Sequence, residues 1–226
     1  MMERIKSGIP GLEKITGGGI PRYHSILVCG APGTGKTILA LQFLYNGAKL
    51  YGENGLYISV EEEPYKLKGY AKEFGWSDID TLEQQGKLTF LRVRADERKF
   101  DIVERVREHV QKTGAKRLVV DSLTAIYLAF EDITQFVYNF VNLLNELKLT
   151  TIFITDAPSE GTALTRDGIS EYVCDGVILV QLNDTGQNIS RTLSIKKMRG
   201  TIMIPGQKSL KFTRKGLEIE DFKAFY

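Results

Sequence analysis

Gly30-Ala31-Pro32-Gly33-Thr34-Gly35-Lys36-Thr37 decides how the rest of this 226-residue chain is read. The octapeptide matches the pattern G-x-x-x-x-G-K-[ST]. It stands between an apolar run, Ser25-Ile26-Leu27-Val28-Cys29, and a helical pattern carried by Ile38, Leu39, Leu41, Phe43 and Leu44. Glycines let such a loop curl until its backbone N–H groups point inward at an anion. The first turn of the following helix adds its dipole and its unsatisfied donors. Residues 30–37 therefore read as a cradle for the phosphates of ATP. Lys36 would reach the β- and γ-phosphates, in catalysis as well as in binding, and the Thr37 hydroxyl would coordinate Mg²⁺. A glycine-rich turn that merely contains a lysine is the plainer alternative. It does not call for a strand before it and a helix after it.

Working outward, Leu56-Tyr57-Ile58-Ser59-Val60 is a second apolar strand that runs into Glu61-Glu62-Glu63-Pro64. A helix is expected through Tyr70 and Phe74, then a strand around 88–93. Phe100, Val103, Val106 and Val110 recur at helical spacing. Arg117-Leu118-Val119-Val120-Asp121 is a strand ending in an acid. Ile133, Phe136, Val137, Phe140, Val141, Leu144 and Leu147 mark the inner side of another helix, and Thr151-Ile152-Phe153-Ile154 a strand ending at Thr155-Asp156. From Asp175 on, helices give way to consecutive strands at 177–180, 192–195, 209–212 and 217–219.

Strands apolar on both faces that alternate with helices form a mostly parallel sheet covered on both sides, and the C-terminal strands would extend one edge antiparallel. The expected fold is α/β, in one domain spanning residues 1–226. Ligands of such sheets sit beyond the carboxyl ends of the strands. Three of those ends carry polar chemistry here: the glycine-rich loop, Glu61-Glu62 and Asp121. Asp121 occupies the place from which an acid enters the Mg²⁺ shell, its alternative being a turn or capping aspartate. A carboxylate after the second strand can take a proton from, or orient, the water that attacks the γ-phosphate. Adjacent residues of an extended segment point to opposite sides, so Glu61 and Glu62 are expected to face different surroundings. A solvated acidic turn before Pro64 is the alternative there.

Composition narrows the functional classes. Thirty basic residues against 28 acidic ones leave a formal charge of +2, which gives no strong general field for nucleic acid. Two cysteines, Cys29 and Cys174, make no disulfide framework and have no ligand partner at metal-site spacing; both are expected to be buried and reduced. Met1-Met2-Glu3-Arg4-Ile5-Lys6 leads into glycines instead of an apolar signal segment, and no apolar run approaches the length of a membrane span. The expected location is cytoplasmic, with no membrane partner.

Further motifs point to a family. Ser7-Gly8-Ile9-Pro10-Gly11-Leu12 with Gly17-Gly18-Gly19-Ile20-Pro21, followed by the phosphate loop, resembles the opening of KaiC-type domains in the RecA superfamily of P-loop ATPases. Val60-Glu61-Glu62-Glu63-Pro64 is similar to that family's paired catalytic glutamates, and Val119-Val120-Asp121-Ser122-Leu123 to its Walker B strand. Arg191-Thr192-Leu193 with Lys197-Met198-Arg199-Gly200-Thr201 is similar to its C-terminal K-x-R-G-T segment. The resemblance covers essentially the whole chain in the same order. It is to the single-domain archaeal KaiC-like proteins, sometimes called RadA paralogues, more than to the two-domain clock protein. It implies a RecA-like core, ATP and Mg²⁺ as ligands, and a ring or filament of identical subunits. Glu61 would be the general base with Glu62 as its partner, and Asp121 would join Thr37 at the metal. Lys197 and Arg199 would reach the nucleotide of a neighbouring subunit, where cations neutralise developing charge; edge-strand charges that deter aggregation are the plain alternative. Thr155 and Asp156 would lie where the superfamily places a γ-phosphate sensor. Tyr23-His24 stands where many relatives have glycine before the first strand, so the entry to that strand is expected to differ.

Three functions compete at this stage. One is an Mg²⁺-dependent ATPase with a site between subunits. Another is a nucleotide-gated recombination or repair accessory that assembles on single-stranded DNA. The third is an ATP-binding accessory of an archaellum motor. The DNA reading has little direct support, because residues 122–132 are apolar and acidic and residues 157–170 offer only Arg166 as a cation. Arg92, Arg94, Arg98 and Lys99 are interleaved with Asp96 and Glu97 and read as a solvated surface.

Overall fold

The structure is a computed structural model that describes residues 2–94, 101–127, 133–158, 163–184 and 189–221. Phe100 and the 96–99 charge cluster, together with parts of the two loops weighed for DNA, lie outside those residues. Two short strands come first, β1 (Arg4–Ile5) and β2 (Ile20–Pro21), paired antiparallel around α1 (Leu12–Ile15). The core then alternates: β3 (Ser25–Gly30), α2 (Lys36–Tyr51), β4 (Gly55–Ser59), α3 (Pro64–Glu73), α4 (Ile79–Gln84) and β5 (Leu88–Arg92). It continues with α5 (Asp101–Thr113), β6 (Arg117–Asp121), α6 (Leu123–Tyr127), α7 (Ile133–Glu146), β7 (Thr150–Asp156) and α8 (Ser170–Val173). Four strands close the described chain: β8 (Gly176–Asp184), β9 (Ile189–Met198), β10 (Lys208–Thr213) and β11 (Gly216–Glu220).

Among the described residues nine strands form one sheet in the order β11-β10-β9-β8-β3-β7-β6-β4-β5. β5, β4, β6, β7, β3 and β8 pair parallel, and β9, β10 and β11 extend the β8 edge antiparallel. The architecture expected from the alternation is therefore present, and its parallel strands are buried on both faces. Alternate residues serve the two faces. Ile26, Val28, Tyr57, Val119 and Ile152 pack with Leu39, Phe43 and Leu44 of α2. Leu27, Cys29, Ile58, Val120 and Phe153 pack with Val106 of α5 and Phe140 of α7. Both cysteines are free and buried, and burial pushes each thiol up to about 12. No described helix is long and apolar enough to cross a membrane.

Two local features carry unusual weight. Arg117, at the start of β6, is fully buried. Its guanidinium pairs with Glu53 at 2.6 Å, donates to the carbonyls of Lys6 and Phe43 at 2.7 and 2.8 Å, and lies over the Phe43 ring. Gly47 of α2 makes room for it, since a Cβ there would come within 2.5 Å of Arg117 Cδ. At the entry to β3, Tyr23 adopts φ 65 and its N–H is held by Thr150 Oγ1 at 2.9 Å. A tyrosine thus occupies backbone space that suits glycine.

Candidate functional site

β3 is a central strand, and its carboxyl end opens directly into the 30–37 loop. Gly33 and Gly35 take positive φ, 78 and 105, so the loop turns back over the start of α2. At Gly35 a side chain is excluded twice, by that φ and by the Phe212 ring, which a Cβ would meet at 2.9 Å. Thr34 Oγ1 donates to Ala31 O at 2.9 Å and holds the loop's waist. Lys36 is buried and folds inward: Nζ donates to Gly30 O at 2.8 Å and Ala31 O at 3.0 Å, and pairs with Asp156 Oδ1 at 3.1 Å.

Asp121 ends β6 one strand beyond β7, and its Oδ2 accepts Thr37 Oγ1 at 2.9 Å and Tyr57 Oη at 2.6 Å. Burial pushes the Asp121 carboxyl up, while the two hydroxyls and the Lys36 charge hold it down. One hydroxyl and one carboxylate are too few for an all-protein metal cage. They suit Mg²⁺, which takes one or two protein oxygens and leaves the rest of its shell to phosphate and water. The residues present fit that ion.

Glu61 and Glu62 leave the end of β4 in different directions. The strand stops at Ser59, whose Oγ donates to Glu62 O at 2.6 Å and accepts Glu62 N at 3.0 Å, bending the chain there. Glu61 turns toward β6, accepting Ser122 Oγ at 3.4 Å. Burial first, then the charges of Asp121 and Asp156, push its carboxyl up. Glu62 turns the other way and accepts Tyr70 Oη at 3.3 Å. It lines an open cleft of about 320 Å³ beside Gly35, Lys36, Thr37, Tyr70 and Phe212. The divergence comes from the Ser59 turn, not from strand alternation.

Lys197 and Arg199 are not brought to the 30–37 loop of their own chain. Lys197 pairs with Val177 at the start of β8, and β8 runs parallel to β3, so both cations stand at the end of the sheet away from Gly30. Lys197 Nζ donates to the carbonyls of Glu171, Tyr172 and Cys174 at 3.0, 2.9 and 2.6 Å. Arg199 pairs with Asp175 at 3.0 Å and donates to Tyr172 O at 3.0 Å. Among the described residues, Arg191 is a C-terminal cation that does approach the loop. Its guanidinium lies 4.7 Å over the Phe212 ring and reaches Gly33 O at 3.5 Å. Phe212 and Tyr57 carried no site signal in the linear pattern. Arg191 entered only within the C-terminal resemblance and Asp156 only as a sensor position, and neither reading foresaw the contact of Arg191 with the loop or the pairing of Asp156 with Lys36. Each contact joins separate elements of the chain, strand to strand for Tyr57 and for Arg191 with Phe212, helix α2 to strand β7 for Lys36 with Asp156.

Several known proteins resemble this chain over nearly its whole length. The family profile described as "ATPase: KaiC" matches residues 5–224. A "UPF0273 protein" of Thermotoga maritima is 31% identical, with 97% of this chain and 96% of that protein covered. The circadian clock oscillator protein KaiC of Nostoc sp. is 34% identical over 96% of this chain, which spans 44% of that longer protein. Among solved structures, a KaiC-like protein of the archaeon Pyrococcus horikoshii superposes with a TM-score of 0.88 at 33% identity, covering 97% of this chain and 99% of the other.

Proposed function

The chain belongs to the KaiC family of ATPases, and from that premise we propose that it is an Mg²⁺-dependent ATPase whose active site is completed by a neighbouring copy. The observation that carries the reading is the meeting of Lys36, the Thr37–Asp121 pair and Glu61 at the ends of β3, β6 and β4. The loop amides and the start of α2 would hold the phosphates. Lys36 would move from Asp156 to the phosphate oxygens. Bound at Thr37 and Asp121, Mg²⁺ would supply charge neutralisation on the β- and γ-phosphates. Glu61, with its raised proton affinity, would orient the attacking water and accept its proton. Glu62 would support it from the cleft side.

Lys197 and Arg199 then act toward the nucleotide of the next subunit in a ring or filament, since their own loop lies at the other end of the sheet. The competing readings are a RadA paralogue in which ATP gates assembly on single-stranded DNA and turnover is incidental, and an archaellum-motor accessory that binds ATP as a scaffold. Retention of single-stranded DNA with ATP present, weakening with salt, is the assay for the DNA role. A cytoplasmic location belongs to the same proposal.

The test is a pair of variants assayed for nucleotide binding and for phosphate release. Lys36→Ala should lose binding. Glu61→Gln should keep binding and lose turnover by about 100-fold or more, the scale of a general base. Turnover retained in Glu61→Gln removes Glu61 from the mechanism.

A further inference from the structure

Tyr57 takes part in none of the roles assigned above. Its ring lies in the apolar layer beneath α2, stacked on Phe90 at 5.9 Å, and the residue is 1% exposed. A phenylalanine fills the same space at that depth without a polar atom to satisfy. What tyrosine adds is one hydroxyl, and that hydroxyl donates to Asp121 Oδ2 at 2.6 Å. The register explains the reach. Tyr57 stands opposite Val119 and Ser59 opposite Asp121, so the phenol crosses one side-chain repeat along the same face of the sheet.

We propose that Tyr57 is a positioning residue for the divalent-cation site, its hydroxyl locking the Asp121 carboxylate in the orientation from which it and Thr37 hold Mg²⁺. The inference rests on the nucleotide-site reading above. Thr37 donates to the same carboxylate oxygen, but Thr37 sits on the helix that follows the phosphate loop, and its oxygen is itself a metal ligand in that reading. Tyr57 is the fixed partner, because its ring is clamped between the sheet, Phe90 and the α2 layer. A short hydrogen bond from a rigid donor to a buried carboxylate fixes both the torsion and the charge of that carboxylate. Partners of this kind behind a metal ligand commonly matter for metal affinity nearly as much as the ligand. The competing account is a core aromatic whose hydroxyl takes the nearest acceptor. It foresees no effect tied to the metal.

The two accounts separate in binding, without recourse to turnover. A fluorescent ATP analogue, methylanthraniloyl-ATP, is titrated against the unmodified protein, Tyr57→Phe and Asp121→Asn, across a range of Mg²⁺ and again in EDTA. Thermal unfolding in EDTA checks that each variant is folded. Tyr57→Phe should raise the half-saturating Mg²⁺ by about ten-fold, in the direction of Asp121→Asn, with affinity in EDTA unchanged. An unchanged Mg²⁺ requirement in Tyr57→Phe, beside a shifted one in Asp121→Asn, overturns the inference and leaves the site reading intact. Equal losses with and without Mg²⁺ also overturn it, since they mark a packing role. If the unmodified protein shows no response to Mg²⁺, the metal-site reading falls and this inference with it.

Discussion

Lys36 is held by Asp156 and two carbonyls, and in the proposed mechanism it would have to give them up to hold a phosphate. In that mechanism Asp156 would thus compete for the lysine and add a negative charge beside the phosphates. It also helps to push the Glu61 carboxyl up. One substitution addresses both effects. Asp156→Asn should tighten ATP binding by roughly three- to ten-fold, the scale of one partly exposed ion pair near 1 kcal/mol, in equilibrium titrations. Its second readout is the acid limb of the pH–rate profile. Glu61 must be ionised to act as a base, so turnover falls as pH drops through its raised pKa. Removing the Asp156 charge lowers that pKa, and the limb should move to lower pH. A limb that stays put would show that Asp156 is not felt at Glu61. At this scale the sequence was informative where a motif fixes both residue and spacing, as at Lys36 and Thr37. It was silent on the Lys36–Asp156 pair, whose members are 120 positions apart.

At the scale of elements, the long helices were legible because ten or more residues carry a clear period, as Phe136, Val137, Phe140 and Val141 do in α7, and the buried strands because each is a short unbroken apolar run. The short elements were not. α8 has four residues, α6 has five, and β1 and β2 have two each, too few to show any period. What holds α8 is side-chain chemistry from elsewhere. Asp167 Oδ1 accepts the N–H groups of Ile169 and Ser170 at one end, and Lys197 caps three carbonyls at the other. Lys197→Met would remove that donor from the Glu171 and Cys174 carbonyls and leave the Tyr172 carbonyl with Arg199. It should lower stability by about 1–3 kcal/mol in urea unfolding. The outcome bears on any subunit-crossing role, because lost turnover in that variant would mix a folding effect with a catalytic one. Arg199, with 52% of its side chain exposed, is the cleaner probe.

At the scale of the whole molecule, Arg117 ties together parts of the chain that no local rule connects. It holds Glu53 before β4, Phe43 of α2 and the N-terminal segment at Lys6. Arg117→Met leaves Glu53 largely buried with Arg22 as its remaining ion partner, and should cost roughly 3 kcal/mol by denaturant unfolding. Adding Glu53→Gln should recover part of that loss, since the uncompensated charge goes with it; a fully additive double variant would deny the coupling. Assembly gives the other prediction at this scale. Mixing Arg199→Ala subunits with Glu61→Gln subunits should restore part of the activity that neither has alone, because some interfaces then pair an intact base with an intact Arg199. A mixed assembly that forms and stays inactive would count against action across subunits.

By itself the sequence determined the glycine-rich loop between strand and helix, the acids at the ends of β4 and β6, and the change from alternating elements to consecutive strands. All of these are written in short runs, where spacing and side-chain type act through local backbone geometry. Only the tertiary structure decided that β6 lies beside β4, and that sheet order is what sets Tyr57 and Thr37 on one oxygen of Asp121. It likewise decided that Arg191 and Phe212 close on the loop while Lys197 and Arg199 face away from it. The physical reason is the same in each case. Strand pairing joins segments far apart in the chain, and a residue's partners follow from the register, which burial of the two apolar faces selects only when the whole sheet is assembled.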